Sequence, residues 1–241
     1  MPELGLSFGR VAALYDRVRP DYSQESLDRA QEALELEASA HVLDLAAGTG
    51  RLTHELARRF ARVIAVEPDG AMRELISDGE VFAGTAEAIP LADSTVDAVF
   101  VGEAFHWFDA ERAVPELVRV LRPRGGVALF SNTWWETDPP LPEGALELLR
   151  VPYVASGRAA TVETWRETFA RSAFEPLRDE TFAWELSVDR EMLLSLYQTT
   201  SSIAALPEDA RAALVAGLRP LLAGPYVLPI RVELTWTRLS R

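Results

Sequence analysis

An acid and a short glycine-containing loop follow an apolar run that begins near residue 42. In "VLDLAAGTGRLT" (42–53), Asp44 precedes Gly48 and Gly50, after which a helical pattern begins. Glycines let a ligand approach the backbone closely, and the first turn of the following helix offers unpaired N–H groups. The pattern therefore predicts a ligand site at the end of a strand.

The spacing of the glycines discriminates between two kinds of ligand. A dinucleotide site needs G-x-G-x-x-G, but alignment from Gly48 puts Thr53 at the third glycine, and alignment from Ala46 puts Arg51 there. S-adenosylmethionine (SAM) has no phosphate, and the ammonium group at its methionine end can pair with a carboxylate such as Asp44. The loop therefore favours SAM over a dinucleotide.

Strand and helix patterns alternate through the first half of the chain and must position this loop. Apolar runs predict strands at 41–46, 62–67, 80–84, 96–102 and 125–132, and helices are predicted at 24–37, 51–60, 69–76 and 109–121. Such alternation indicates a parallel sheet covered on both faces, in which ligands collect at the carboxyl ends of the strands. The residues at those ends are Asp44, Glu67, Thr85 and Glu103.

The second half of the chain follows a different pattern. Helices are predicted at 161–172, 189–200 and 208–223, and alternating strands around 182–186 and 230–236. We expect these strands to complete the same sheet, and the helices to form a lid. The predicted fold class is α/β, a Rossmann-like, doubly wound, mostly parallel seven-stranded sheet with an antiparallel C-terminal strand and a helical lid.

One domain is expected to span residues 1–241. Its core would comprise residues 38–132, its N-terminal cap region residues 1–37, and its C-terminal lid and final strands residues 133–241.

The composition excludes several classes of function. The 241 residues include no cysteine, and all 24 basic residues are arginine, which rules out disulfides, thiolate nucleophiles and lysine Schiff bases. The net charge of −13 disfavours nucleic-acid binding. No apolar window approaches the ~18 residues of a membrane span. We expect a cytoplasmic monomer or homodimer without nucleic-acid, membrane or metal partners.

The loop resembles the first motif of the class I SAM-dependent methyltransferases, with Ala46 in place of the usual first glycine. The resemblance continues through the next four strand ends, in the segments "VIAVEPDGAM" (63–72), "GTAEAIPLADSTVDAVF" (84–100) and "LRPRGGVALF" (121–130). "FGRVAALYDRVRPDY" (8–22) and "GEAFHWFD" (102–109) are similar to a small-molecule branch of that family, which includes trans-aconitate and ubiquinone/menaquinone methyltransferases and methyltransferase type 11.

The resemblance implies a role for each strand end in holding SAM. Asp44 and Arg19 would hold the methionine end, Tyr15 would close over the cofactor, and Glu67 would accept the ribose hydroxyls. Thr85 stands where the family usually has an aspartate that bonds the adenine. The residues expected to bind SAM are Tyr15, Arg19, Asp44, Ala46, Gly48, Gly50, Glu67, Pro68, Met72, Thr85, Ala86, Glu87 and Glu103.

His106 and several aromatic residues are candidates for the acceptor side. His106 is expected to be either a general base or a wall of the acceptor pocket. The second role suits a carboxylate acceptor, because such an acceptor is already deprotonated and needs no base. The candidate substrate pocket consists of His106, Trp107, Trp134, Trp135, Tyr153 and Tyr197.

The resemblance implies methyl transfer from SAM to a small-molecule acceptor by in-line displacement, leaving S-adenosylhomocysteine (SAH). The acceptor is either an organic acid held by arginines such as Arg19, Arg150 and Arg158, or a neutral phenolic or quinone-like molecule beside the tryptophans. Two other functions stay open: a nicotinamide-dependent oxidoreductase, and a non-catalytic SAM-binding or regulatory protein of the same fold.

Overall fold

A computed structural model describes residues 8–133, 141–155 and 165–240, without the side chains of residues 153–155. Its centre is one seven-stranded sheet in the order β3-β2-β1-β4-β5-β7-β6. The strands are β1 (His41–Leu45), β2 (Arg62–Val66), β3 (Glu80–Phe82), β4 (Val96–Gly102), β5 (Leu121–Thr133), β6 (Arg178–Val188) and β7 (Tyr226–Arg238). Strands β1 to β5 pair in parallel, whereas β7 runs antiparallel between β5 and β6. The predicted fold class is confirmed.

The helices of the described ranges lie on both sides of this sheet. They are α1 (Ala12–Val18), α2 (Gln24–Ala33), α3 (Arg51–Ala57), α4 (Gly70–Arg73), α5 (Ala110–Val120), α6 (Glu143–Ala155), α7 (Trp165–Ala170), α8 (Arg190–Gln198), α9 (Ser201–Ala204) and α10 (Glu208–Leu218). The side chains of Ser23, Asp69 and Asp189 accept a backbone N–H three residues later, which caps α2, α4 and α8. None of the described helices is both long and apolar enough to cross a membrane.

Two hydrophobic clusters form because successive strand residues point to opposite faces of the sheet. Val42 and Phe100 pack with α2, α3, α6 and α8 on one face. Leu43 and Val99 pack with α5 and α7 on the other face. Asp44 is two residues after Val42 in β1, so its carboxyl lies on the same face of the sheet as Val42, the face covered by α3, α6 and α8.

Three elements differ from the sequence predictions. Strand β3 ends at Phe82, before the predicted end at residue 84, and all three of its residues are exposed because it is an edge strand. Helix α6 was not predicted, and its pattern is interrupted by Pro152. Helix α7 does not join the other C-terminal helices, because Phe169 packs against Phe105 and Phe174 beside α5.

Candidate functional site

A cavity lies at the carboxyl ends of β1, β4 and β5, beneath α1. It encloses about 510 Å³, including the open space at its mouth. The residues that line it are Tyr15, Arg19, Pro20, Tyr22, Ala46, Ala47, Gly48, Thr49, Arg51, Leu52, Gly102, Glu103 and Asn132. Five of the predicted cofactor residues are therefore brought together here: Tyr15, Arg19, Ala46, Gly48 and Glu103.

The floor of the cavity is the loop between β1 and α3. Ala46, Gly48 and Gly50 all have left-handed backbone conformations, with φ of +58°, +60° and +87°. An alanine in this conformation costs roughly 1 kcal/mol relative to glycine. The replacement of the usual glycine by Ala46 therefore preserves the shape of the loop at a small cost in strain.

Asp44 lies under this loop and is almost completely buried, with 1% of its surface exposed. Its Oδ2 accepts a hydrogen bond from Thr53 Oγ1 at 2.6 Å, whereas its Oδ1 has no partner among the described residues. Burial raises the pKa of Asp44 to about 7, and the charge of Glu67 adds to this, although the Thr53 hydrogen bonds oppose it. A cation near Oδ1 would restore the charged form.

Glu67 follows β2 and turns its carboxylate toward the same loop. Its Oε2 accepts the N–H of Gly48 and its Oε1 accepts the N–H of Asp69, both at 2.8 Å. Burial raises the pKa of Glu67, and these two bonds oppose the rise. The carboxylate therefore fixes the loop and also leaves lone pairs that can accept hydroxyl donors.

Helix α1 forms the roof of the cavity, and Arg51 ties this helix and the segment after it to α3. Arg51 donates to the carbonyl of Asp16 at 2.6 Å and also pairs with Asp21. Arg19 stacks over the ring of Tyr15, with 4.8 Å between its Cζ and the ring centroid. Burial raises the pKa of Tyr15, against the opposing charge of Arg19.

The far wall of the cavity, formed by Tyr22 and by the ends of β4 and β5, contains two residues that the sequence analysis did not select, Tyr22 and Asn132. Tyr22 packs edge-on against Phe130, and the Asn132 side chain is buried on β5. Asn132 N donates to Glu103 Oε1, and Glu103 itself has a left-handed φ of +59°. A non-glycine residue in this conformation often marks a functional site. The "RPDY" segment contained Tyr22, but no local signal placed it at the cavity.

Unpartnered polar atoms concentrate at this cavity. Within the described ranges, the buried side-chain atoms without a hydrogen-bond partner are Asp44 Oδ1, Thr49 Oγ1, Arg51 Nε, Asn132 Oδ1 and Trp184 Nε1. All but the last belong to residues that line the cavity or lie directly under its floor. Because buried polar groups are normally satisfied, this set indicates a polar ligand with both donors and acceptors.

The predicted adenine-side residues lie outside this lining. Ala86 is buried in the cluster beside α5, and Glu87 Oε1 accepts the N–H of Asp109 at 3.1 Å, at the start of α5. Thr85 forms an isolated bridge with Ala88. Gly50 caps α3, Pro68 follows Glu67, and the Met72 side chain is buried near Gly48.

The acceptor-side candidates are dispersed. His106 is exposed, and its ring contacts Trp107 at 4.7 Å between centroids. Trp107 packs edge-on against Phe8, which packs in turn against Tyr15 of α1. Tyr197 is buried in the hydrophobic cluster with Tyr226, and burial raises its pKa. Trp134, Trp135 and the side chain of Tyr153 lie outside the described residues.

Replacing Gly102 with alanine should destabilise the fold by about 1–3 kcal/mol through overpacking. A Cβ atom there would overlap the Tyr22 hydroxyl and lie 3.2 Å from Leu52 Cδ2, so Tyr22 would have to leave the wall. Denaturant unfolding measures the change. Gly144→Ala is the matched control, because its Cβ would meet Leu221 only at 3.6 Å. Equal stability of the two variants would contradict this packing.

Comparison with known proteins shows that the chain is similar to methyltransferases. Residues 43–129 match the family described as a methyltransferase domain, Methyltransf_11. An uncharacterized methyltransferase of Mycobacterium tuberculosis is 45% identical over 135 residues, and this match spans about half of each protein, 54% of both chains. A malonyl-[acyl-carrier protein] O-methyltransferase of Methylococcus capsulatus is 34% identical over 223 residues, covering 87% of this chain and 74% of that protein.

A similar fold occurs in a solved structure with SAM bound. Haemonchus contortus phosphoethanolamine N-methyltransferase 2, in complex with SAM, gives a TM-score of 0.59 at 15% identity. The alignment covers 98% of this chain and 57% of that chain. At this identity the likeness concerns the fold.

Proposed function

The chain belongs to the class I SAM-dependent methyltransferases, and from that membership we propose that it binds SAM in the cavity beneath α1 and methylates a small-molecule acceptor. The observation that carries this proposal is the concentration of unpartnered polar atoms around the cavity. The buried, unpaired Oδ1 of Asp44 is the clearest of them, because an ammonium group is the partner that a buried carboxylate needs.

Residues that line the cavity or lie under its floor loop would hold the parts of SAM. Asp44 would hold the ammonium and Arg19 the carboxylate of the amino-acid end, while Glu67 would accept the ribose hydroxyls. Carboxylates at both points also suit the positive charge of a sulfonium. The adenine would lie toward Ala86 and Glu87, beyond the enclosed part of the cavity.

When bound, SAM would supply a methyl group on a positively charged sulfur: the acceptor atom would bond to the methyl carbon as the carbon–sulfur bond breaks and SAH leaves. The chain contributes orientation and exclusion of water. Helix α1, tied down by Arg51, covers the floor loop, and Glu67 fixes that loop through the Gly48 N–H. Holding two reactants in line can provide a large part of the rate of such a displacement.

The acceptor would enter beside the wall formed by Tyr22, Glu103 and Asn132. We propose a small molecule rather than a nucleic acid, because the net charge of −13 repels polyanions. The Methylococcus relative is named as an O-methyltransferase, so oxygen-bearing acceptors are the first to screen. His106 stays a candidate base or pocket wall.

We further propose that residues 1–241 act as one domain. Helix α1 and the C-terminal helix α8 pack on the same face of the sheet as the floor of the cavity, so the cap and lid regions would work together with the core 38–132.

Calorimetric titration with SAM, SAH and NAD tests the proposal. We expect saturable binding of SAM and SAH and none of NAD. Incubation with methyl-labelled SAM and a panel of small acceptors should then transfer label. Binding of NAD without SAM would support the oxidoreductase alternative, and SAM binding without transfer to any acceptor would favour the non-catalytic alternative.

A further inference from the structure

The Arg19 guanidinium is held from two sides at the wall of the cavity. It stacks on Tyr15, and one of its edges donates two hydrogen bonds to Thr199. Its Nε reaches Thr199 Oγ1 at 3.0 Å, and its Nη2 reaches the Thr199 carbonyl oxygen. Arg19 and Thr199 lie 180 residues apart in the sequence, so only the fold brings them together.

Thr199 is itself rigidly placed. It is fully buried at the end of α8, where its hydroxyl donates to the carbonyl of Leu196 at 2.6 Å. Since this hydroxyl uses its proton on Leu196, its oxygen is oriented to accept from Arg19. The Arg19 backbone is also restricted, because Pro20 follows it and holds it extended.

We propose that Thr199 is a positioning residue of the cofactor site, which holds the Arg19 guanidinium at the cavity so that it receives the carboxylate of the SAM amino-acid end. This inference rests on the proposed function. An arginine side chain has four rotatable bonds, and fixing it before the ligand binds removes an entropic cost from binding. The C-terminal part of the chain thereby completes a site whose recognisable motifs all precede residue 133.

The test compares two ligands that differ in one group. SAH has the carboxylate, and S-adenosyl-3-thiopropylamine is the same molecule without it. The wild-type chain should bind SAH about tenfold or more tightly than the decarboxylated analogue, the scale of one charge-assisted hydrogen bond. In Thr199→Val this preference should shrink to about threefold or less, because Arg19 Nε loses its acceptor and the guanidinium is then held only by the Thr199 carbonyl and the Tyr15 ring.

A neighbouring residue provides the control. Thr200→Val removes a hydroxyl that donates to the Tyr197 carbonyl in the same way, and Thr200 makes no hydrogen bond to Arg19. Its preference for SAH should equal that of the wild type. In an Arg19→Gln background, Thr199→Val should change the preference no further.

The outcomes separate this inference from the proposed function. If the wild-type chain binds neither SAM nor SAH, the proposed function fails. If it binds SAH and Thr199→Val keeps the full preference for the carboxylate, the Thr199 hydroxyl does not position Arg19, and the inference is overturned. If Thr199 had a purely structural role, Thr199→Val would weaken the binding of both ligands equally and leave the ratio of their affinities unchanged. That result would also overturn the inference.

Discussion

Replacing Asp44 with asparagine should weaken SAM binding by about 2–3 kcal/mol, or roughly 30- to 150-fold. The substitution keeps the size of the side chain and an acceptor for Thr53. It removes the charge of a carboxyl whose Oδ1 is buried and unpartnered. Calorimetry with SAM and SAH measures the change.

The same substitution should stabilise the ligand-free chain at pH 8, on the order of 4 kcal/mol. The pKa of Asp44 is about 7 in the folded chain, against an ordinary value of 3.8. Between these values the folded chain binds more protons than the unfolded one, so the free energy of unfolding falls as the pH rises from about 4 to about 7. Asparagine does not titrate, so the advantage of the variant is complete above pH 7.

The affinity for SAM should depend on pH for the same reason. Below about pH 7 the Asp44 carboxyl takes up a proton, and a cation must displace it to bind, so wild-type affinity should fall as the pH drops toward 5. The profile of Asp44→Asn should be flat over this range. Asp97→Asn is the control, because the Asp97 carboxylate pairs with Arg122 and accepts the His41 backbone N–H at the other end of the sheet. A wild-type profile identical to that of Asp44→Asn would refute the role of Asp44.

Replacing Glu67 with alanine should weaken SAH binding about 100-fold. The change removes the acceptor for the ribose hydroxyls and also frees the N–H groups of Gly48 and Asp69. A less constrained floor loop would then have to be ordered by the ligand. Calorimetry gives the affinity, and hydrogen exchange at the Gly48 and Asp69 amides should become faster.

Glu55→Ala is the matched control for this second change. Glu55 is also a buried glutamate, but its carboxylate pairs with Gln24 and Arg58 and does not contact the floor loop. Its loss should lower stability and leave the exchange of the two loop amides unchanged. If Glu67→Ala binds SAH as tightly as the wild type, the assignment of the ribose to this carboxylate fails.

Local features of the sequence determined the first half of the fold and the floor of the site. The alternation of apolar runs with helical patterns identified the parallel strands, because side-chain periodicity is a local property. The glycines before α3 and the acids Asp44 and Glu67 could be selected from the sequence because they lie at or just after the carboxyl ends of β1 and β2. Helix α6 was missed because Pro152 interrupts its pattern, and the short strand predicted at 80–84 proved to end at Phe82.

The tertiary structure alone decided how the roof and walls of the cavity are formed. Tyr22 lies over Gly102, Asn132 N donates to Glu103, and Arg19 reaches Thr199. None of these contacts has a sequence signal, because the partners are distant in the chain and meet only when the sheet is complete. The raised pKa of Asp44 has the same origin, since burial depends on everything packed around a carboxyl rather than on its neighbours in sequence.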